Sequence, residues 1–441
     1  MKSGFAQVSI TPDRSCVLAG YYKSRPAAGM HDEVYVRALV FPGPIVMLSL
    51  DILNADRLSM DRILRALAPL GVEEDGLLVT AVHTHSSFGG IFDTTAGLKK
   101  ELRIMFGETD EALLAMLAER CAAAVKAALA DMVETEIRFI RGSIEGLGTN
   151  RHSPELPYDK DLWCIEWFRA DGKKILLYNL SCHPTVLNGE NLLISADFPG
   201  CVAARLRDVY DMVFFVNGSA GDVSTRFTRR ESGFSECDRF GALTAGRIME
   251  LAASGTAPPD AGGGVSFPAS AEALERVELT YHRFHLKAAA VDGIAAAEAK
   301  LAAAQKRLDA VKASSAGAGD IRSAESFVEA ALINVMKAKA AGGQQAGDID
   351  FPTGVLSING RKILCVPLEL FSVLALKLKS RFPAETPAAI FGYVNALEGY
   401  LADTAAYEAL DYEALSSPFA AGEGERYIEL VYSLLYHLDY E

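Results

Sequence analysis

Short, nearly continuous apolar runs recur along the chain and constrain its fold more than any other feature of the sequence. The runs are Val36–Val40, Ile45–Leu50, Leu77–Val82, Ile175–Leu180, Met212–Val216, Ile363–Val366 and Ala389–Tyr393. Runs of this length, mostly bounded by Gly, Pro, Asp or Asn, are typical of β-strands that are buried on both faces. The first run departs from this pattern, because it carries Arg37.

Helical segments lie between these runs. Asp110–Met132 is predicted to be a helix with Thr109 as its N-cap, Asp197 is predicted to cap a helix through Val202–Tyr210, and Ser235–Ala253 forms a third. Alternation of strands and helices predicts the α/β class, with a mixed β-sheet core and flanking helices. The 441 residues allow two or three domains or one large domain.

Residues 293–341 differ in composition, because Ala, Lys, Glu and Leu dominate there. Two helical stretches, Ile294–Lys312 and Ile321–Ala340, flank the turn-forming segment Ser314–Gly319, which indicates an inserted helical hairpin. An arm for homo-oligomer assembly, a lid, and a solvated helical pair packed on the core are all compatible with it. The Gly-, Pro- and Ala-rich segment Gly255–Ala271 indicates a surface linker.

Charge and cysteine content exclude several classes of protein. The formal net charge of −14 leaves no positive surface for nucleic acid. No stretch approaches the roughly 18 apolar residues that span a bilayer, and the first residues lack the apolar core of a signal peptide. The seven scattered cysteines indicate reduced, buried thiols. We therefore expect a cytoplasmic protein without a transmembrane segment.

The strongest local signal is a histidine pair that directly follows the strand-like run Leu77–Val82. His83 and His85 flank Thr84, and residues two apart on an extended chain point to the same side. Open α/β sheets bind their ligands at the carboxyl ends of strands. The pair is therefore a candidate metal or proton-transfer site.

Three further runs end in polar residues that bind metals or substrates. His183 follows Ile175–Leu180, Asp222 and Ser224 follow Met212–Val216, and Glu369 follows Ile363–Val366. Four such cases predict one shared metal site at the carboxyl ends of the strands. Two histidines and a glutamate form a known catalytic zinc set with an open position for water. Imidazole favours Zn²⁺ over Mg²⁺ or Ca²⁺, whereas Mn²⁺ and Fe²⁺ remain alternatives.

In chain order, these and other segments resemble the neutral ceramidase family. The matching segments are Ile10-Thr11-Pro12, Ala19-Gly20-Tyr21, Gly29-Met30-His31, Arg37-Ala38, His83-Thr84-His85-Ser86, Asn150-Arg151, His183 with Ile194-Ser195-Ala196-Asp197, Gly221-Asp222-Val223-Ser224 and Pro367-Leu368-Glu369. Tyr400 and Tyr412 have the spacing of that family's ligand tyrosine and second active-site tyrosine. The resemblance implies one catalytic domain over residues 1–441, with the hairpin inserted in it.

The resemblance also implies roles for individual residues. His83, His183, Glu369 and Tyr400 would hold Zn²⁺, and the implied activity is hydrolysis of the amide bond of a small N-acyl substrate, as in lipid metabolism. The other implied roles are oxyanion stabilisation by Tyr412, proton transfer by His85, substrate orientation by Ser224 and Arg151, and support of a histidine tautomer by Asp222, for which a loop cap is the alternative.

Two other functions are also compatible with the sequence. A zinc site of this kind also cleaves esters or phosphoesters, and a phosphatase would need a second metal or more basic residues than Arg151 and Arg226. A non-catalytic relative would instead use the pocket for binding. Neither the acyl group nor the amine of the substrate is specified by the sequence.

Overall fold

The computed structural model describes residues 1–95, 97–254, 270–341, 347–382 and 389–440. The strands in these ranges are β1 Lys2–Ser9, β2 Gly29–Met30, β3 Tyr35–Phe41, β4 Ile45–Leu50, β5 Leu77–Ala81, β6 Val133–Ser143, β7 Thr149–Asn150, β8 Asp161–Arg169, β9 Lys174–Leu180, β10 Leu193–Ile194, β11 Met212–Asn217, β12 Val223–Ser224, β13 Glu272–Ala273, β14 Val277–Leu286, β15 Ile349–Ile358, β16 Arg361–Cys365, β17 Glu369–Leu370, β18 Ala389–Phe391 and β19 Tyr400–Leu401.

The α-helices in the same ranges complete the α/β architecture. They are α1 Arg57–Leu67, α2 Gly97–Glu101, α3 Arg103–Phe106, α4 Glu111–Ala130, α5 Phe198–Leu206, α6 Phe234–Ser254, α7 Ile294–Lys312, α8 Ala318–Ala341, α9 Ser372–Lys379, α10 Thr404–Ala409, α11 Tyr412–Ser416 and α12 Glu423–Tyr440. In this part of the chain no helix is both long and apolar enough to cross a bilayer.

The predicted α/β class is confirmed, and each of the seven apolar runs contains a strand. The three predicted helices are α4, α5 and α6, and Asp197 does cap α5 through a bond from the N–H of Phe198. The predicted cap of α4 is wrong. Asp110 accepts the N–H bonds of Ala112 and Leu113. The hydroxyl oxygen of Thr109 accepts the N–H of Thr94 instead, and its proton is donated to the carbonyl of Phe92. The predicted linker 255–271 lies almost wholly outside the described residues.

The larger sheet is mixed, as predicted. Its strands run in the order β11-β9-β8-β6-β1-β3-β4-β5, and β13 pairs with β6. The pairs β11–β9 and β4–β5 are parallel, whereas the other neighbours along this order are antiparallel. A second sheet has the order β14-β15-β16-β18. Its last pair, β16–β18, is parallel.

Side chains of the larger sheet alternate between two apolar layers, as the two-residue period of a strand requires. On β9, Leu176 and Tyr178 pack against α5 and α6, whereas Ile175 and Leu177 face the second sheet. Helices α1 and α4 cover the other half of the sheet face on which α5 and α6 lie. The far face of the second sheet packs on α9 and α12. The layers are therefore helix, sheet, sheet and helix.

The segment that follows β18 joins the ends of two strands of the larger sheet. The N–H of Gly392 donates to the carbonyl of Asn217 at the end of β11 at 2.9 Å, and the carbonyl of Tyr393 accepts from the N–H of Ala81 at the end of β5 at 3.2 Å. The Asn179 side chain donates to Val216 at 2.9 Å and to the second sheet. These bonds bring the carboxyl ends of β5, β9, β11 and β18 together.

The inserted helical hairpin is present as α7 and α8. Ala297 near the start of α7 packs against Val335 and Ala338 near the end of α8, so the two helices are antiparallel. Helix α8 starts at Ala318, earlier than predicted. The ammonium of Lys337 on α8 donates to three carbonyls at the end of α11, those of Leu415, Ser416 and Ser417.

Arg37, the exception among the apolar runs, is buried with a counter-ion. Its Nη1 lies 2.7 Å from Oδ1 of Asp51, and both side chains are less than a tenth exposed. The other oxygen of Asp51 accepts the N–H of Tyr35 at 2.9 Å. Burial raises the pKa of Asp51, and Arg37 opposes this shift. The pair therefore supports β3 and the residue after β4 only while both partners are present.

Substitution Arg37→Met is expected to lower the free energy of unfolding by about 3–5 kcal/mol, because it leaves the buried carboxylate of Asp51 without a counter-ion. Urea unfolding of the wild type, Arg37→Met, Asp51→Asn and the double variant measures this. The double variant should be more stable than Arg37→Met. If the two substitutions are simply additive, the ion-pair explanation is contradicted.

Candidate metal centre

Three histidines lie together beside the carboxyl ends of the joined strands, and the carboxylate of Glu369 contacts two of them. Candidate ligand nitrogens of His83, His85 and His183 all lie within 4.8 Å of one another. Oε2 of Glu369 lies 3.4 Å from Nε2 of His83 and 3.2 Å from Nε2 of His183. His83 and His183 are buried, and His85 is half-buried. The predicted cluster at the strand ends is therefore formed.

His83 adopts a left-handed backbone conformation, with φ of 69°. This region is unfavourable for a residue with a Cβ, and such strain concentrates at functional sites. The N–H of His83 donates to the carbonyl of Ile52 at 3.1 Å, and the Tyr393 ring packs over the imidazole with centroids 4.2 Å apart. These contacts keep the imidazole turned towards Glu369.

Backbone carbonyls determine which nitrogen of each imidazole carries the proton. A carbonyl oxygen only accepts, so each Nδ1 that faces one must be the donor, and Nε2 of a neutral imidazole then holds a lone pair. The Nδ1 to carbonyl distances are 2.8 Å for His83 to Leu53, 2.9 Å for His85 to Gly20, and 2.6 Å for His183 to Ala220.

The three Nε2 lone pairs and Glu369 therefore converge without a proton between them. Nε2 of His85 lies 3.3 Å from Nε2 of His83, and both ligand-type contacts of Glu369 are with lone-pair nitrogens. A buried carboxylate surrounded by acceptors is costly unless a cation lies among them. The donor set thus fits a metal ion, which the imidazole and carboxylate atoms would bind directly.

The pKa shifts agree with this assignment of protons. Burial lowers the pKa of His183 to about 4, although Glu369 acts in the opposite direction. Burial, with added repulsion from His83 and His183, lowers the pKa of His85 well below its ordinary value. Burial would raise the pKa of Glu369, and the lowering by His83 and His183 that outweighs it requires positive charge on those rings. Neutral imidazoles do not supply this charge, so a bound cation would have to keep the carboxyl ionised.

The two predicted tyrosines reach the cluster from the last third of the chain. Glu369 on β17 is the direct partner of Tyr400 on β19 in a short parallel ladder. The Tyr400 ring stacks towards His183 at a centroid distance of 6.5 Å, and the Tyr412 ring meets it edge-on at 6.1 Å. Burial raises the pKa of both phenols above 10, so both keep their protons near neutral pH.

Arg151 lies beside the phenols and is held by an acid. Its Nη1 is 3.0 Å from Oε1 of the buried Glu413 and 3.3 Å from the carbonyl of Gly221. Burial lowers the pKa of Arg151, but Glu413, Tyr400 and Tyr412 outweigh this and raise it, so the side chain is a fixed cation. Glu413 is next to Tyr412, and this ion pair therefore fixes Arg151 relative to that phenol.

Ser224 and Asp222 come from the same loop but have different surroundings. Ser224 lies in a bridge beside His183 and lines a cavity next to the cluster. Asp222 accepts bonds from the N–H of Ser372 at 2.5 Å and from the side chain of Asn150 at 3.2 Å. Its position is therefore that of a cap at the start of α9, and carbonyls rather than Asp222 orient the imidazoles.

Three residues near the cluster were not predicted from the sequence. Tyr22 and Tyr412 line both cavities, and each phenol affects the pKa of the other. Arg25 is fully buried and donates to the carbonyl of His85 at 2.6 Å. Tyr393 covers His83. All three lie in loops, where no hydrophobic period identifies them, although Tyr22 directly follows the Ala19-Gly20-Tyr21 segment of the family resemblance.

Two cavities meet at the cluster and share part of their walls. Both are lined by Tyr22, His85, Tyr400 and Tyr412. The first cavity, of about 330 Å³, also contains Arg151 and Ser224 together with further charged side chains. The second, of about 230 Å³, contains His83 and Glu369, and its remaining lining is mostly apolar: Phe92, Leu102, Met105, Phe106, Ile333 and Leu397.

Helix α8 of the hairpin forms a wall of both cavities. Arg322 and Glu329 line the first cavity, whereas Ile333 and Lys337 line the second. Lys337 also holds the carboxyl end of α11, the helix that begins with Tyr412. The insertion is thus part of the lining of the candidate site.

For the metal-free protein, the free energy of unfolding should fall as the pH is lowered from about 6.5 to 4. The unfolded chain binds a proton at His183 near pH 6.5, whereas the folded chain binds it near pH 4. The loss for this residue is about 3 kcal/mol. Urea unfolding of the wild type and His183→Gln across this window measures the difference. Parallel curves for the two proteins would contradict the depressed pKa.

Comparison with known proteins agrees with this architecture. No protein-family model matches the sequence. No curated protein matches it either. Among solved structures, the neutral ceramidase from Pseudomonas aeruginosa aligns with 99% of this chain and 74% of its own, at 17% identity and a TM-score of 0.74. A structure described as ceramidase complexed with C2 aligns with 99% and 75%, at 16% identity and a TM-score of 0.73. The chain therefore has the fold of the neutral ceramidases, as its motifs predicted.

Proposed function

We propose that this chain is a zinc-dependent hydrolase that cleaves the amide bond of an N-acyl substrate. The observation that carries the proposal is the convergence of three unprotonated imidazole nitrogens, two of which contact the carboxylate of Glu369, beside two protonated phenols. The ceramidase fold supports the same reaction class, because ceramidases act on an amide. Cleavage of small N-acyl amides would connect the chain to lipid metabolism.

His83, His183 and Glu369 would hold the metal, with Tyr400 as the fourth protein ligand. The pairing of Tyr400 with Glu369 in the β17–β19 ladder supports this assignment. Zinc suits a set of imidazole, carboxylate and phenol donors. When bound, it supplies a Lewis acid and lowers the pKa of a bound water towards 7.

The remaining residues would act on the amide itself. Tyr412 keeps its proton near neutral pH and lines both cavities, so it can donate to the oxyanion that develops on the carbonyl. His85 is more exposed than the other two imidazoles. Its Nε2 lone pair would accept a proton from the attacking water, and the ring would then pass a proton to the leaving amine. Arg151 and Ser224 line the first cavity and would orient the substrate. Asp222 would support the loop that carries Ser224.

We also propose a reducing compartment, the cytoplasm, for this protein, because all seven cysteines are free and five of them are buried. Residues 1–441 would act as one catalytic domain, with 293–341 as an insertion. Assembly of a homo-oligomer through the hairpin remains a proposal, and the position of α8 beside the cavities supports a lid instead.

Purified protein should contain about one zinc per chain and release amine from N-acyl amines in a metal-dependent way. His83→Ala should lose zinc and turnover together, because it removes a ligand. His437→Ala changes an exposed histidine on α12 and should retain both. Elemental analysis paired with amine detection measures the outcome. Full turnover by zinc-free His83→Ala would contradict the proposal.

Tyr412→Phe should lower kcat about 10²–10³-fold, because it removes one hydrogen bond to the oxyanion. Zinc content should stay at the wild-type level, since Tyr412 is not a proposed ligand. Tyr436→Phe, at an exposed position on α12, is the matched control and should leave kcat unchanged. A kcat for Tyr412→Phe within about twofold of the wild type would rule out this role.

A further inference from the structure

The cavity that contains Arg151 carries more positive than negative side chains, and two of its arginines form no ion pair with an acid in the described part of the chain. Its cationic lining consists of Lys23, Arg151, Arg226, Arg229 and Arg322. Its acidic lining consists of Glu190, Glu325 and Glu329. The overall charge of the chain is −14, so a local excess of cations is contrary to the composition of the chain as a whole.

Three of these cations are neutralised by nearby carboxylates. Lys23 lies 2.6 Å from Glu190. Arg322 meets Glu329 through two bonds of 2.9 and 3.1 Å. The remaining one, Arg151, is paired with Glu413, as described above. These groups therefore contribute little net charge to the cavity.

Arg226 and Arg229 differ from them. Nη1 of Arg226 donates to the carbonyl of Arg151 at 2.9 Å, and Nη1 of Arg229 donates to the carbonyl of Thr185 at 2.6 Å. Among the described residues, neither has a carboxylate within 4.0 Å. Each guanidinium has five N–H groups, so most of its donors are not used by these contacts.

Electrostatic crowding supports the same conclusion. Burial lowers the pKa of Arg226 to about 9, and the guanidinium groups of Arg151, Arg322 and Arg229 act in the same direction, whereas Glu413 opposes them. A half-buried cation among like charges is stabilised when an anion binds beside it. Two guanidinium groups on one loop favour a planar, bidentate acceptor such as a carboxylate.

The neighbouring cavity, which contains His83 and Glu369, is mostly apolar instead of charged. Its lining beyond the cluster includes Phe92, Met105 and Ile333. His85, Tyr400 and Tyr412 lie in the walls of both cavities. A substrate whose amide bond lies beside these residues would therefore extend one half into each cavity. An acyl chain suits the apolar cavity, and the amine half of the substrate would then lie beside the arginines.

We propose that Arg226 and Arg229 form a carboxylate-binding subsite, and that the favoured substrates are N-acyl amino acids or similar amides with an anionic amine half. This inference rests on the proposed amide hydrolysis for its reaction, but the subsite itself is defined by binding.

The test compares two substrates that differ only in charge, N-octanoyl-alanine and N-octanoyl-alaninamide, on the zinc-loaded protein. The ratio of their kcat/KM values should favour the carboxylate by about tenfold or more. Arg226→Met and Arg229→Met should each bring the ratio to within about threefold of one. Arg230→Met removes an exposed arginine of the same loop and should keep the wild-type ratio. An unchanged ratio in both cavity variants would overturn the subsite.

A binding measurement separates failure of the subsite from failure of the proposed function. N-octylglycine and N-octylglycinamide lack the scissile carbonyl, and calorimetric titration gives their affinities without turnover. Tighter binding of the carboxylate, lost in Arg226→Met, would support the subsite even if no amide were hydrolysed, and the proposed reaction would then be wrong. Equal affinities in the wild type would overturn the subsite. Stronger competition by inorganic phosphate than by acetate would also overturn the carboxylate assignment.

Discussion

The site depends on three backbone carbonyls that fix the tautomers of its imidazoles. The carbonyls of Leu53, Gly20 and Ala220 each accept a hydrogen bond from the Nδ1–H of one histidine, so every Nε2 lone pair faces the same small volume. With the carboxylate of Glu369 added, this volume is built for a cation. Carbonyls do not titrate, and the arrangement is therefore independent of a second acidic residue whose charge would vary with pH.

The two-sheet architecture explains how distant segments supply this volume. The strand ends of the larger sheet carry His83 and His183, and the second sheet leads directly into Glu369. The segment after β18 hydrogen-bonds to the ends of both β5 and β11. These bonds fix the position of one sheet relative to the other beside the candidate ligands. Helix α8 of the insertion then completes the walls of the cavities, with charged residues on one side and apolar residues on the other.

Local patterns in the sequence predicted part of this arrangement and failed for the rest for physical reasons. The apolar runs and the residues that follow them identified the strand ends, because both are encoded within a few neighbouring residues. Tyr400 and Tyr412 were found only through their resemblance to a family. Strand β6 was missed because polar residues such as Glu134 and Glu136 alternate along its exposed face. Tyr22 was missed because Tyr412, which affects its pKa, is distant in sequence.

X-ray absorption at the zinc edge tests most directly whether nitrogen and oxygen atoms of this cluster bind zinc, as proposed. The proposed ligands predict a four- or five-coordinate shell of nitrogen and oxygen at about 2.0–2.2 Å, with outer-shell scattering from at least two imidazoles. This scattering should be lost in His183→Gln. A shell that contains sulfur at about 2.3 Å, or a spectrum without imidazole scattering, would contradict the account.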